Sequence, residues 1–308
     1  MVKVIVAGGV SYNLMVYLKE LPEPRSATVF SQAYHETVGG TGAGKALALH
    51  RLGSQVTLHA LLGTDVQGQA VRDYFAQENL ECLFEHDPRG TERHLNLMAG
   101  EKERLSIYLE SGSFEPIINL ERLRPVLAGC DVVVLNILNY CRQILPLARE
   151  YRKPIWCDLH NYDGVNPYHQ EFLENADYLF LSSDALPDYR AFMKAQIVCG
   201  KKLVVCTHGN AGATALTPQG EWYEIPALAG YSVMDTNGAG DSFFAGVLYG
   251  HAHGCTLLTC LQLGALLGAL SVTSRELIPS SLSLAYVEEE YFKRYGAFPD
   301  FCSPRNHP

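Results

Sequence analysis

Asp235-Thr236-Asn237-Gly238-Ala239-Gly240-Asp241-Ser242-Phe243-Phe244-Ala245-Gly246 is the stretch on which the reading of this chain turns. Small and polar residues lead into an apolar run, Phe243, Phe244, Val247 and Leu248, at helical spacing. The stretch is expected to be a loop that delivers the backbone N–H groups of Gly238, Ala239 and Gly240 to the first turn of a buried helix. Such N–H groups have no partner inside the helix and sit at the positive end of its dipole, so an anion is favoured beside them. A β-carbon there would hold a phosphate away from the backbone, which is the use of glycine at this point. Asp241 adds a carboxylate at the lip of the same helix. An aspartate near a helix start can be a simple cap, but two acids flanking a Gly-Ala-Gly turn point to chemistry on an anion.

DTNGAGDSFFAG resembles the C-terminal signature of the PfkB (ribokinase-like) carbohydrate kinases, DTxGAGDxFxxG, at every defining position. The resemblance implies an ATP-dependent kinase that phosphorylates a hydroxymethyl group of a sugar or related small molecule. Asp241 would be the general base, and Gly238, Ala239 and Gly240 would bind the developing phosphoryl charge. Transfer through a loose transition state asks for positioning and charge stabilisation more than for a strong base. The implied fold is α/β, with a ribokinase-like, mostly parallel central sheet, helices on both faces and a small β-sheet lid. It would be one domain over 1–308, with the lid formed by about 11–38 and 91–113.

The chain as a whole is compatible with that expectation. Its 308 residues, 47% hydrophobic and 19% charged, suit one large globular α/β domain. A net charge of −9 argues against a nucleic-acid partner, while a local helix terminus can still bind an anionic nucleotide. Nine cysteines are scattered without a CxxC pair, as expected for reduced thiols in a cytoplasmic protein. No segment reads as a signal peptide or a membrane span, so no membrane partner is expected.

Val2 to Ala7 is an apolar run with the look of a buried parallel strand, ending in Gly8-Gly9. A dinucleotide fingerprint would need further glycines where Val10 and Asn13 stand, and fails. In the resemblance, Asn13 falls where the family's first strand is followed by an Asp that holds sugar hydroxyls; an amide can bind hydroxyls as donor and acceptor. Residues 14–37 fit short strands off the main sheet. Gly39 to Lys45 has the GxxxxGK form of a P-loop, but Ala46 replaces the hydroxyl that would bind magnesium. VGGTGAGKALALHRLG better resembles the family's N-terminal signature GGxxxNxAxxLAxLG. Gly39 and Gly40 match it as substrate-binding positions, and Gly44 replaces the usual Asn, implying a roomier acceptor pocket. Leu47, Leu49 and Leu52 give a helix ended by Gly53.

Gly63, Asp65 and Gly68 match a further family element and are read as structural. Residues 91–112 alternate about a charged turn, and a family hairpin of similar form makes Arg104 a candidate for phosphate or sugar. From 116 onward, helices and strands alternate: Glu121–Leu127, Tyr140–Tyr151 as one helix, and strands at Asp131–Leu135, Pro154–Cys157 and Tyr178–Leu181. This argues for a parallel sheet covered on both faces, with ligands beyond the strands' carboxyl ends. Asp158 to Asp163 reads as a loop rather than a metal site. His251 and His253, two apart on a helix, point to different faces.

The resemblance places the nucleotide along Thr207, Gly209 and Gly212, with Ser182 and Asn237 beside it and Ala265 on a small-residue helix over the adenine. The family's N-x-x-E motif, which organises Mg2+, is replaced by Leu181-Ser182-Ser183-Asp184, leaving Asp184 to act through water. Asp235 is the candidate for a monovalent cation such as K+. Lid strands pair between subunits in this family, implying a homodimer. The competing readings are a nucleoside kinase of the same family, a non-catalytic nucleotide-binding regulatory member, and a P-loop enzyme using Lys45.

Overall fold

Strand β1 (Lys3–Ala7) sends Val4 and Val6 to one apolar core and Ile5 and Ala7 to another, so it must lie between two layers of helices. The computed structural model, which describes residues 1–100 and 103–297, shows that arrangement. The other strands are β2 (Ser11–Leu18), β3 (Ala33–Gly39), β4 (Gln55–Leu62), β5 (Glu81–His86), β6 (Arg93–Ala99), β7 (Glu103–Glu110), β8 (Val132–Asn136), β9 (Ile155–Asp158), β10 (Tyr178–Ser182), β11 (Leu203–Thr207), β12 (Ala213–Leu216) and β13 (Trp222–Ile225). Nine of them form one sheet in the order β13-β12-β11-β10-β9-β8-β1-β4-β5. Pairing is parallel from β5 through β11, and the terminal β12 and β13 run antiparallel.

The remaining four strands form a separate sheet, β3-β2-β6-β7, in which β2 and β6 run parallel and the outer pairs antiparallel. It occupies the two segments expected to leave the main body.

The helices are α1 (Thr41–Arg51), α2 (Val66–Gln77), α3 (Leu120–Gly129), α4 (Leu145–Glu150), α5 (Gln170–Asn175), α6 (Tyr189–Val198), α7 (Ala239–Ala252), α8 (Leu257–Ser271) and α9 (Leu284–Tyr295). One core joins the sheet to α1, α7 and α8, the other to α3 through α6. Helices α7 and α8 cross closely: a β-carbon on Gly246 would lie 2.7 Å from the Leu263 carbonyl, and one on Gly264 2.7 Å from Val247. Gly264 of α8 thus serves helix packing.

The single helix expected over Tyr140–Tyr151 is instead a 3₁₀ segment, Asn139–Ile144, followed by α4. Pro146 lies in the first turn of α4, where its missing N–H costs nothing. Asp65 caps α2 through the Gly68 N–H at 2.7 Å and accepts the Thr91 N–H at 2.7 Å, a structural role as expected. Residues 298–308 and the turn residues Glu101 and Lys102 lie outside the described residues.

Candidate active site

Gly238 adopts φ +79° immediately before α7, a conformation an L side chain resists. A β-carbon there would also meet the Leu277 carbonyl at 2.6 Å. Gly240 has an exposed backbone with no atom within 4 Å of where a β-carbon would project. The Gly-Ala-Gly turn therefore ends in open space at the N-terminus of a 14-residue helix. The Ala239 N–H lies 3.4 Å from the Thr236 carbonyl, a long bond, so it is partly engaged within the loop.

Asp241, in the first turn of α7, is buried, with a side chain 10% exposed. It does not stand free in an opening. Its Oδ1 lies 2.5 Å from the Nζ of Lys45, whose ammonium also lies 3.0 Å from Asp158 Oδ2 at the end of β9. Lys45 is wholly buried and its Nζ lies 5.1 Å from the centre of the Phe244 ring. The Asp241 carboxyl is pushed up by burial, which the Lys45 charge only partly offsets. Burial pushes Asp158 the same way, but His160 and Lys45 together bring it down to about 2. Burial opposes the charge on Lys45, and the two carboxylates outweigh it, holding the ammonium protonated. His160, at φ +53°, places Nδ1 3.4 Å from Asp158 Oδ2 and is one-third exposed.

This arrangement bears on two readings of the sequence. Lys45 faces two carboxylates in the interior, so the Gly39–Lys45 run is not a P-loop. Gly44 opens no extra room for an acceptor: a β-carbon there would lie 2.8 Å from Asp241 Oδ2, so the space is filled by that carboxyl group.

The other expected acceptor residues lie where β1, β2, β3 and α1 meet. Asn13 is buried on β2, and its Nδ2 would be 2.1 Å from a β-carbon on Gly39. Asn13 Oδ1 and the nearby Ser11 Oγ are buried without a hydrogen-bond partner. Gly40, at φ +100°, packs against the Gly9 carbonyl, which also accepts the Gly42 N–H at 3.0 Å and the Ala43 N–H at 3.2 Å. The second and third amides of α1 are therefore occupied by the chain. A cavity of about 150 Å³ adjoins Gly8, Gly9 and Val10, with Glu92, Phe114 and Tyr168 among its walls.

Arg104 is exposed on β7, and its Nη1 donates to Asn237 Oδ1 at 3.2 Å, reaching the signature loop from the small sheet. Tyr17 on β2 does the same to Asp235, a contact the sequence reading did not single out. Asp235 is buried; its Oδ1 accepts the Asn237 N–H at 2.8 Å and its Oδ2 the Tyr17 hydroxyl at 3.0 Å. Both oxygens of the cation candidate are thus in use.

Ser182 and Thr207 pair side by side at the carboxyl ends of β10 and β11. Gly209 and Gly212, both at positive φ, shape the following turn, and Gly212 lies against the Ile225 carbonyl. Ala265 is buried on α8, 8% exposed, one residue from the Gly264 crossing. Asp184 is exposed just past β10, and its N–H donates to Ser182 Oγ at 3.2 Å. No cluster of three or more His, Cys, Asp or Glu among the described residues could hold a metal ion. His251 packs on Trp156 and Tyr178, while His253 turns back to the Tyr249 carbonyl, so the pair does not converge.

Comparison with known proteins places the chain among sugar kinases. An acarbose 7(IV)-phosphotransferase of Actinoplanes sp. is 33% identical over 88% of this chain and 92% of its own length. A fructoselysine 6-kinase of Escherichia coli is 24% identical over 79% of this chain and 93% of its own. Among solved structures, a microbiome-derived acarbose kinase superposes with a TM-score of 0.84 at 29% identity, covering 94% of this chain and 98% of its own. Arabidopsis thaliana ribokinase, at 18% identity and a TM-score of 0.80, shares the fold over 94% of this chain and 98% of its own. The profile described as pfkB family carbohydrate kinase matches residues 1–283, and the chain belongs to that family.

Proposed function

We propose that this kinase transfers the γ-phosphoryl group of ATP to a hydroxymethyl group of a saccharide, with Asp241 as general base and the Gly238–Gly240 turn as the anion cradle. The observation that carries the reading is the open space in front of Gly240, one residue from a carboxylate, at a helix N-terminus. That space suits a transferring phosphoryl group, whose charge the helix end stabilises. Asp241 Oδ2 takes no hydrogen bond among the described residues and is the atom left to accept the acceptor's proton. The orphaned Asn13 Oδ1 supports an acceptor rich in hydroxyls beside Gly39 and Gly40.

The nucleotide would lie along Ser182, Thr207 and the Gly209–Gly212 turn toward Ala265. Mg2+ would arrive with it, keeping phosphate and water ligands, with Asp184 acting at most through water. The four-stranded sheet, tied to the signature loop by Arg104 and Tyr17, would serve as the lid that excludes water. Its row of exposed Leu105, Ile107 and Leu109 supports pairing of two lids in a cytoplasmic homodimer.

A coupled assay with ATP and Mg2+ tests this, with acarbose, other saccharides and nucleosides as acceptors. Saccharide-dependent ADP release that Asp241→Asn abolishes is expected. Turnover with nucleosides alone would exclude the saccharide reading, and no turnover with any acceptor would favour a regulatory nucleotide-binding protein.

A further inference from the structure

A buried lysine between two carboxylates is costly to fold around, because each of the three charges loses its hydration. Here one of those carboxylates is the residue assigned as base, and the lysine reaches it from a different helix. The packing looks built for that contact. Gly44 lacks the β-carbon that would collide with Asp241, so α7 can bring the carboxylate onto α1. Asp158 anchors the ammonium from β9 at 3.0 Å, and Phe244 closes it from the side.

We propose that Lys45 is a positioning residue for phosphoryl transfer: fixed by Asp158, it holds Oδ1 of Asp241 and thereby turns Oδ2 toward the acceptor hydroxyl. The inference rests on the reading of Asp241 as base. In the transfer step, the acceptor O–H bond breaks and its proton passes to Asp241 Oδ2. The acceptor oxygen forms a bond to the γ-phosphorus while the bond from that phosphorus to the bridging oxygen breaks, and ADP leaves with that electron pair. The neutral Asp241 acid then releases its proton to water. Throughout, Lys45 stays protonated, balanced by Asp158.

The groups that face Asp241 are Lys45 from α1, Asp158 from β9 and His160 from the loop after it. Lys45 and His160 favour its ionised form and Asp158 opposes it. Removing Lys45 or Asp158 should therefore move the acid limb of the turnover profile in opposite directions. Lys45→Met removes a cation, so the limb shifts to higher pH, by about one unit or more, with a loss of turnover of at least ~100-fold. Asp158→Asn removes an anion and leaves Lys45 to Asp241 alone, so the limb shifts to lower pH. Lys45→Arg, which keeps the charge, restores the limb toward its original place.

The experiment measures kcat against pH for these variants, with dissociation constants for a fluorescent ATP analogue and thermal denaturation as controls. Nucleotide affinity is expected to stay within a few-fold in each folded variant. A limb unmoved in Lys45→Met and Asp158→Asn, with Asp241→Asn inactive, overturns the role of Lys45 and leaves the kinase reading intact. Should Lys45→Met fail to fold, Asp158→Asn decides: a limb that stays put or moves upward overturns the proposal. Full turnover in folded Asp241→Asn removes the kinase reading itself.

Discussion

Tyr17 donates its phenolic hydrogen to Oδ2 of Asp235 across 3.0 Å, joining the small sheet to the loop that precedes α7. The Arg275 guanidinium lies 4.4 Å from the centre of the same ring, so the tyrosine is held on its face as well as at its tip. Burial raises the Tyr17 hydroxyl, and Asp235 raises it further, so it remains a donor. Tyr17→Phe keeps the ring contact and leaves the buried Asp235 oxygen without its donor. We expect about 1 kcal/mol of lost stability and a severalfold fall in kcat/KM, measured by denaturant unfolding and initial rates. Unchanged stability and rates would show that the contact holds nothing in place.

Gly240 faces open space and Gly238 a crowded left-handed turn, so the two glycines make different predictions. Gly240→Ala places its methyl group in open space and should leave thermal stability unchanged. Under the proposed function the same methyl group would occupy the phosphoryl position, so turnover should fall about 100-fold or more. Gly238→Ala meets both a left-handed backbone and the Leu277 carbonyl, and should cost at least ~1 kcal/mol of stability. Thermal denaturation and kcat for the two variants check both halves. A fully active Gly240→Ala would remove the anion site from that turn.

Gly44→Ala tests the seat of Asp241. The added carbon would lie 2.8 Å from Oδ2 and 3.0 Å from the Asp241 β-carbon, so the carboxylate must move. Overpacking of this kind costs about 1–3 kcal/mol, and a displaced base should lower kcat more than it raises KM. A variant that loses stability yet keeps kcat would show that the carboxylate's exact seat is unimportant.

His59 gives the protein an acid-sensitive core. Its ring is fully buried, neither nitrogen has a hydrogen-bond partner, and burial lowers it to about 4. It is therefore neutral near pH 7, and Glu85, 3.8 Å away, forms no ion pair with it there. The unfolded ring takes up its proton near 6.5 and the folded ring only near 4, so the unfolded chain binds more protons in between. Stability should fall as pH drops from about 6.5 to 4, by up to about 3 kcal/mol. Urea unfolding across that range should show the slope, and His59→Leu should flatten it.

The loop leading into the buried helix α7 was legible because its signals are local: the glycines, the helix start and the acid are contiguous. The parallel sheet was legible from apolar runs such as Val2–Ala7 and Tyr178–Leu181, whose limits needed only strand length and flanking turns. The destination of Lys45 was not legible. It depends on three elements distant in sequence, α1, β9 and α7, arriving together, and a GxxxxGK run suggested a different use. The available signal was Gly44 itself, a missing β-carbon beside a lysine with an unassigned acid at the end of β9. Tyr17 was hidden for a similar reason, because an alternating strand does not say which loop its tip will meet. The break before α4 carries a local signal, the missing donor of Pro146.

The small sheet is woven from two separate excursions of the chain, β2–β3 and β6–β7, joined edge to edge by the parallel ladder from Leu14–Leu95 to Leu18–Ala99. The chain therefore enters or leaves this panel at four points rather than two. Transplanting it to a related kinase would mean carrying both excursions at once, since either half alone would present a raw strand edge to water.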